Sequence, residues 1–311
     1  MNIRLGYACI SKTLDITSSH TITYTNYELL NDEEKEKKLK EITEKNLKNL
    51  EEILKYNIKN NIHFYRMSSK IIPLATHPNI KLNLLNIFKE KLEHIGNIIK
   101  ENNLRVDIHL DEYCVLNSTN PNIVSSTINI IKFYKNMLKT MNIESNMILH
   151  IGSSAFGIEK SITRFINNFK KLDEESKNML ILENDDKVFK IEDVLKICKT
   201  LNIPMVLDYH HYKCNRVEPL EQHIKEIINT WKGKTPKMHI SSKKNNKEFR
   251  SHHDYINIED FIELINILKT QTKNIDIMIE AKQKDMALFK LIRELKYKDY
   301  KLVDETTICI E

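Results

Sequence analysis

Six side chains able to ligate metals stand at the ends of short apolar runs. "RVDIHL" carries His109, "MILHIG" His150 and "LILEND" Glu183, and farther along "MVLDYHH" carries Asp208, "KMHISS" His239 and "IMIEAK" Glu280. A lone histidine or carboxylate in such a place is usually a hydrogen-bonded structural group. Six in succession are a different matter. Gathered by neighbouring strands, they would leave buried carboxylates unpartnered, which is costly unless cations neutralise them. Mixed nitrogen and oxygen donors favour Zn²⁺ or Mn²⁺ over Ca²⁺ or Mg²⁺. His210 and His211 follow Asp208, and His252 and His253 lie in a later loop, so Asp208, His211 and His252 could form a further site.

These positions are useful only if the strands lie side by side. Apolar runs near residues 3–9, 62–66, 105–109, 146–150, 179–183, 204–208, 236–240 and 275–280 alternate with helical periodicity. The intervening helices are expected to end near 60, 102, 142, 173, 202, 231 and 271, with a last one near 285–296. Alternating strands and helices imply a parallel sheet, and about eight units is the number that closes a (β/α)₈ barrel. The expectation is an α/β, single-domain TIM barrel over 1–311 with its metal site at the C-terminal ends of the strands. An open doubly wound sheet is the alternative, disfavoured by the number of units. The charged stretch 32–60 keeps Leu39, Ile42, Leu47, Leu50 and Leu54 at helical spacing and reads as an outer helix with a solvated face. Segments 66–80 and 241–256 are the longest without helical pattern, and long loops after strands are where barrels keep function.

Composition narrows the classes. The formal charge of +5 and pI near 8.7 suit a polyanionic partner without requiring one. Cys9, Cys114, Cys198, Cys214 and Cys309 are odd in number and form no CxxC pair, which points to a reducing interior compartment. The five glycines fall at no phosphate-cradling spacing, so no nucleotide cofactor is expected. The N-terminus opens on a strand-like run rather than a signal peptide, and no window has the length of a membrane span. A cytoplasmic protein is the expectation.

The stretches "IRLGYACIS", "FYRMSSKIIPLATHP", "ILHIGSS", "LILENDD", "VLDYHHYKCN", "FRSHHDYI" and "MIEAKQKDMALFKL" together resemble the UV damage endonuclease family, in that family's order over nearly the whole chain. The resemblance implies a TIM barrel related to endonuclease IV that cuts DNA immediately 5′ of cyclobutane pyrimidine dimers and 6-4 photoproducts, with abasic sites as a wider range. It implies two to three divalent ions, Mn²⁺ first, with Zn²⁺ or Mg²⁺ as alternatives. His109, His150 and Glu183 match the ligands of one ion. Glu183 bridges to a second held by Asp208, His239 and Glu280, and His211 and His252 match ligands of a third. Lys237 matches a lysine that is carboxylated in the family, and Tyr7, Arg66 and His77 match groups near the substrate.

The chain departs from the family at the groups that probe damage. Where relatives resemble "HPGQY" or "HPDQF", this sequence reads "HLDEYC": Tyr113 keeps the aromatic and Glu112 replaces the amide. A carboxylate repels phosphate and cannot donate as an amide does, which bears on lesion preference. Ser11 stands where asparagine is expected. Damaged duplex DNA is the implied partner, engaged by a monomer. The rivals are an abasic-site endonuclease of the endonuclease IV type, a metal-dependent sugar isomerase on the same barrel, and a damage-binding module without catalysis. His211, His252, Tyr113 and the basic balance speak against the isomerase, and the number of ligands against a mere binder.

Overall fold

Strands buried on both faces need helices outside and side chains packed within. Leu180–Glu183, Met205–Asp208 and Lys237–Ile240 contain no exposed residue, as parallel strands in a covered sheet require. The computed structural model describes residues 1–216 and 218–311. In chain order the elements are β1 (Asn2–Ala8), β2 (Ile10–Ser11), β3 (Ile16–Thr17), α1 (Tyr24–Glu28), α2 (Asp32–Lys59), β4 (Phe64–Met67), α3 (Leu84–Ile87), α4 (Lys89–Glu101), β5 (Arg105–His109), α5 (Pro121–Thr140), β6 (Met147–His150), α6 (Ile158–Phe169), α7 (Glu174–Met179), β7 (Leu180–Glu183), α8 (Ile191–Leu201), β8 (Met205–Asp208), α9 (Tyr209–Cys214), α10 (Ile224–Asn229), β9 (Lys237–Ile240), α11 (Ile258–Leu268), β10 (Asn274–Ile279), α12 (Lys284–Tyr297), β11 (Lys301–Leu302) and β12 (Thr307–Cys309).

Strands β1, β4, β5, β6, β7, β8, β9 and β10 pair in parallel in that order, and β10 returns to β1 through Asn2↔Asn274 to Tyr7↔Ile279. The result is a closed eight-stranded, single-domain TIM barrel. The expected units agree closely with those observed. What the sequence pattern did not resolve lies outside the eight: the β2–β3 hairpin, the short helices, and the tail in which β12 pairs antiparallel with Asn2–Arg4 of β1. β4 meets β1 only from Gly6 onward, which leaves the early part of β1 free for β12. Gly6 is required there, because a Cβ would lie 2.1 Å from the Phe64 carbonyl oxygen.

Alternation along the strands sorts side chains between helices and lumen. Ile3, Leu5, Tyr7, Tyr65, Ile108, Leu149, Leu182 and Leu207 join the large core under the helices. In the lumen, Ile148, Ile181, Val206 and Trp231 cluster on one side, and Ala8, Phe64 and Met278 form a smaller group. The remainder of the lumen is charged and paired in layers. At the floor Arg4 donates to both Asp276 oxygens at 2.6 and 2.7 Å, and Arg105 donates to Asp276 at 2.7 Å while lying 5.3 Å from the Trp231 ring. One layer up, the Lys237 ammonium donates to Asp107 at 2.6 Å. Above that pair the strands end in histidines and carboxylates.

α2 begins in a capping box in which Asn31 and Glu34 exchange hydrogen bonds with each other's backbone N–H, and Leu39, Ile42, Leu47, Leu50 and Leu54 are buried along it. It is the outer helix that its spacing predicts.

Candidate metal centre

Parallel registers place the six strand-end residues around one rim. His150 pairs with Glu183 across β6 and β7, Asp208 with His239 across β8 and β9, and Glu280, just past β10, keeps its N–H on the Ile240 carbonyl at 2.8 Å. Glu183 is the hub. His109 Nε2 lies 3.0 Å from its Oε2 and His239 Nδ1 3.0 Å from its Oε1, with His211 Nδ1 at 3.5 Å and His150 Nε2 at 4.0 Å. Two sets result, His109–His150–Glu183 and Glu183–Asp208–His239–Glu280, with the ligand atoms of each within 4.8 Å of one another.

The donors are oriented from behind. His109 Nδ1 donates to the Leu110 carbonyl at 2.8 Å and His211 Nδ1 to the Asn184 carbonyl at 2.9 Å, which fixes the orientation of each ring. The Asn184 side chain accepts from the Asp208 N–H and donates to the Asp208 carbonyl, both at 2.9 Å, clipping β8 to the end of β7. Arg66 reaches up the lumen, its Nη1 at 2.6 Å from Glu280 and its Nη2 donating to His239 Nε2 at 2.6 Å.

The charge balance accounts for the acidities. Burial raises Glu183, but His239, His150 and His109 outweigh it and hold the carboxyl well below its ordinary range. Glu280 is likewise lowered by Arg66 and His239 against burial. Burial lowers His211, yet Asp208 and Glu183 carry it up to about 9. His150 is lowered, chiefly by burial. Lys237 is pushed down to about 8 by burial, with Asp107 opposing.

Asp208 Oδ2 is buried without a hydrogen-bond partner among the described residues and lies in one set with the Glu183 and Glu280 carboxylates. An unsatisfied buried acceptor is costly, and its convergence with two further carboxylates is what cations would relieve. The residues present therefore fit divalent ions, with Glu183 common to both sets.

The expected third set is not closed to the same spacing among the described residues. His211 and His252 face each other with ring centroids 6.4 Å apart, while His210 is buried, its Nε2 on the Arg250 carbonyl at 3.2 Å and its ring 5.5 Å from His252. His253 turns away to Tyr255.

Other expected site residues lie elsewhere. Tyr7 points to the helical layer, donating to Asn57 of α2 at 2.8 Å, because strand alternation sends it away from the lumen that Gly6 and Ala8 face. Ser11, expected against DNA, is fully buried, its hydroxyl donating to Asp285 at 2.9 Å to hold the hairpin loop. Arg66, also expected against DNA, is buried against the ligands instead. His77 stacks on Tyr24 at 3.7 Å and, with Ile72, Pro73, Glu112 and Tyr113, lines a groove of ≈ 560 Å³. Tyr113 is 63% exposed and its hydroxyl donates to Asp111 at 3.0 Å. Sequence reading missed Asp107 and Asn184. Asp107 lies two residues before His109 and so on the same face of its strand, a signal that alternation supplies. Asn184 had none beyond adjacency to Glu183.

A closed (β/α)₈ barrel with two histidine and carboxylate sets sharing one glutamate at its C-terminal rim is the class that fold and site define. Residues 3–309 match the family model described as UV-endonuclease UvdE. UV DNA damage endonucleases of Bacillus cereus (strain B4264) and Bacillus mycoides (strain KBAB4) are each 40% identical over 301 residues, 95% of this chain and 95% of theirs. The crystal structure of SacUVDE superposes with a TM-score of 0.86 at 34% identity, covering 96% of this chain and 99% of that one. The chain belongs to the UV-endonuclease UvdE family. The 3-keto-D-glucoside 4-epimerase YcjR of E. coli, with a TM-score of 0.59 at 10% identity over 95% of this chain and 99% of that one, shares the fold alone.

Proposed function

We infer that this protein incises damaged duplex DNA immediately 5′ of UV photoproducts, leaving a 3′-hydroxyl and a 5′-phosphate. The observation that carries the reading is the convergence of two ligand sets on Glu183 at the mouth of a barrel whose relatives are UV DNA damage endonucleases. His109, His150 and Glu183 would hold one divalent ion, and Glu183, Asp208, His239 and Glu280 a second. Mn²⁺ suits the mixed donors best, with Zn²⁺ or Mg²⁺ as alternatives. His211 and His252 stand close enough to complete a third site with Asp208 if the 241–256 loop closes over the rim. Ions held there supply Lewis acidity toward water and toward the phosphate oxygens.

The chain's own groups do the rest. Water adds to phosphorus, the P–O3′ bond breaks, the attacking water loses a proton and the departing 3′ oxygen gains one. Glu183, held ionised, is the group common to both sets and fixes them beside the attacking water, whose proton passes to solvent. Arg66 keeps Glu280 and His239 in place through its two donors. Lys237 acts from the layer below as a positioning group through Asp107, and its carboxylation is what the family resemblance implies. Tyr113 and Glu112 stand at the rim for contact with the duplex, His77 lines the same groove, and Tyr7 on Asn57 and Ser11 on Asp285 support the rim from outside the lumen. The protein would act as a single 1–311 endonuclease domain, as a monomer, on chromosomal DNA in the cytoplasm.

The test is strand cleavage of a labelled duplex with Mn²⁺, comparing a defined photoproduct, an abasic site and undamaged DNA. Incision 5′ of the photoproduct is expected, and Glu183→Ala should cut it by at least about 100-fold, since both sets lose their shared ligand. Cutting confined to the abasic site would move the protein to the endonuclease IV type of activity. No cutting of any duplex by the metal-loaded protein would sink the nuclease reading.

A further inference from the structure

The loop between β6 and α6 carries a phenyl ring where neither burial nor backbone preference wants one. Phe156 is 77% exposed, and its φ is 64°, the left-handed region that bulky side chains avoid. Both features persist only where surrounding bonds over-determine the backbone. They do here. Arg164 Nη2 donates to the Ala155 carbonyl at 2.6 Å, the Ser161 hydroxyl to the same carbonyl at 3.1 Å, and the Gly157 N–H to the Ser154 carbonyl at 2.8 Å. The residues on either side of Phe156 are thus pinned while its ring projects into solvent.

The same bonds tie this loop to the one that bears Tyr113. Arg164 Nε donates to the Asn117 carbonyl at 2.8 Å, and the Asn117 amide donates to the Ser153 carbonyl at 2.6 Å. At Gly152 the loops approach so closely that a Cβ would lie 2.4 Å from Asn117 Oδ1 and 2.9 Å from Val115. The β5–α5 and β6–α6 loops therefore form one rigid unit, presenting Tyr113 and Phe156 from neighbouring loops at the end of the barrel where His109 and His150 stand.

Resting on the reading of damaged duplex DNA as substrate, we propose that Phe156 is a second aromatic contact, stacking on a base exposed when the duplex kinks at the lesion, beside the step met by Tyr113. Aromatic stacking on an unstacked base is worth enough to offset a strained, solvated ring, and kinked duplexes expose such bases. The ring does not touch the ligand sets, so it acts on binding and positioning rather than on the chemical step.

The experiment is single-turnover incision with Mn²⁺ at increasing concentrations of enzyme, on a photoproduct duplex with 2-aminopurine beside the lesion. Phe156→Ala should raise the half-saturating concentration about 5- to 150-fold, the equivalent of ~1–3 kcal/mol for one stacked base, with a much smaller effect on the rate at saturation. The 2-aminopurine quench expected with wild type should be lost. Phe156→Trp should restore both, and Phe156→Gly, which suits the left-handed backbone, should share the defect with an undiminished thermal midpoint. Tyr297→Ala removes a ring that is 87% exposed at the end of α12, on the opposite face, and should change nothing. Half-saturation and quench in Phe156→Ala and Phe156→Gly equal to wild type would overturn the proposal while leaving the nuclease reading intact. Failure of the wild type to engage any duplex would overturn both.

Discussion

Lys237 and Asp107 face each other at 2.6 Å in the middle of the lumen with no exposed surface on either side chain, and Arg66 Nε lies 3.8 Å from the same carboxylate. A buried pair of this kind adds little net stability over apolar neighbours, but either partner left alone is expensive. Lys237→Met should therefore cost about 3–5 kcal/mol in urea unfolding, and Asp107→Leu combined with Lys237→Met should recover much of it. A loss in the double variant equal to the sum of the losses in Lys237→Met and Asp107→Leu would show that the pair is uncoupled. At this scale the site was partly legible. His109, Glu183 and Asp208 sit where strand ends predict, whereas Arg66, a group near the substrate by expectation, lies in the lumen on the same side of β4 as Phe64 and is buried on Glu280 and His239.

At the scale of elements, α7 illustrates how a short helix is held between layers. Asp173 caps it, accepting from the Ser176 N–H and hydroxyl at 2.9 Å and from Lys135 at 3.3 Å. Burial raises the Asp173 carboxyl, but the bonds from Ser176 and Lys135 together outweigh it and bring it down to about 2. A carboxyl whose folded value lies below its unfolded one, ~3.9, contributes stability that is present above that pH and is lost as pH falls toward the folded value. Asp173→Ala should cost about 1 kcal/mol at pH 7. The gap from wild type, followed by urea unfolding across pH, should shrink as pH falls from 4 toward about 2; a gap independent of pH would rule out the carboxylate as its source. Nothing in the sequence singled α7 out, because six residues are too few for periodicity to register and tertiary contacts hold them.

For the molecule as a whole, six candidate ligands from six strands make the rim the place where closure of the barrel and any metal binding would be linked. The thermal midpoint should rise with Mn²⁺ concentration, by the equivalent of ~2.7 kcal/mol at a hundred times the dissociation constant. Chelation should reverse the rise and Glu183→Ala should flatten it. A midpoint indifferent to Mn²⁺ in the wild type would mean that the two sets do not form a metal centre. Among the described residues no helix is long and apolar enough to cross a membrane, consistent with the absence of such a window in the sequence.

Local pattern determined a good deal of this protein. Short apolar runs alternating with helical runs located the eight strands and most of their helices, and the strand ends held the six groups that fall into the two sets, because apolar runs and their termination are properties of the chain itself. The likeness of its motifs gave the family. Tertiary structure alone decided which of these groups meet. It turned Tyr7 outward to Asn57 and buried Ser11 on Asp285. It set Arg66 behind His239 and Glu280, left His211 and His252 short of a closed third set, and stitched the loops of Tyr113 and Phe156 together through Arg164 and Asn117. Those outcomes depend on strand register and on contacts between residues far apart in the chain, which no window along a single sequence contains.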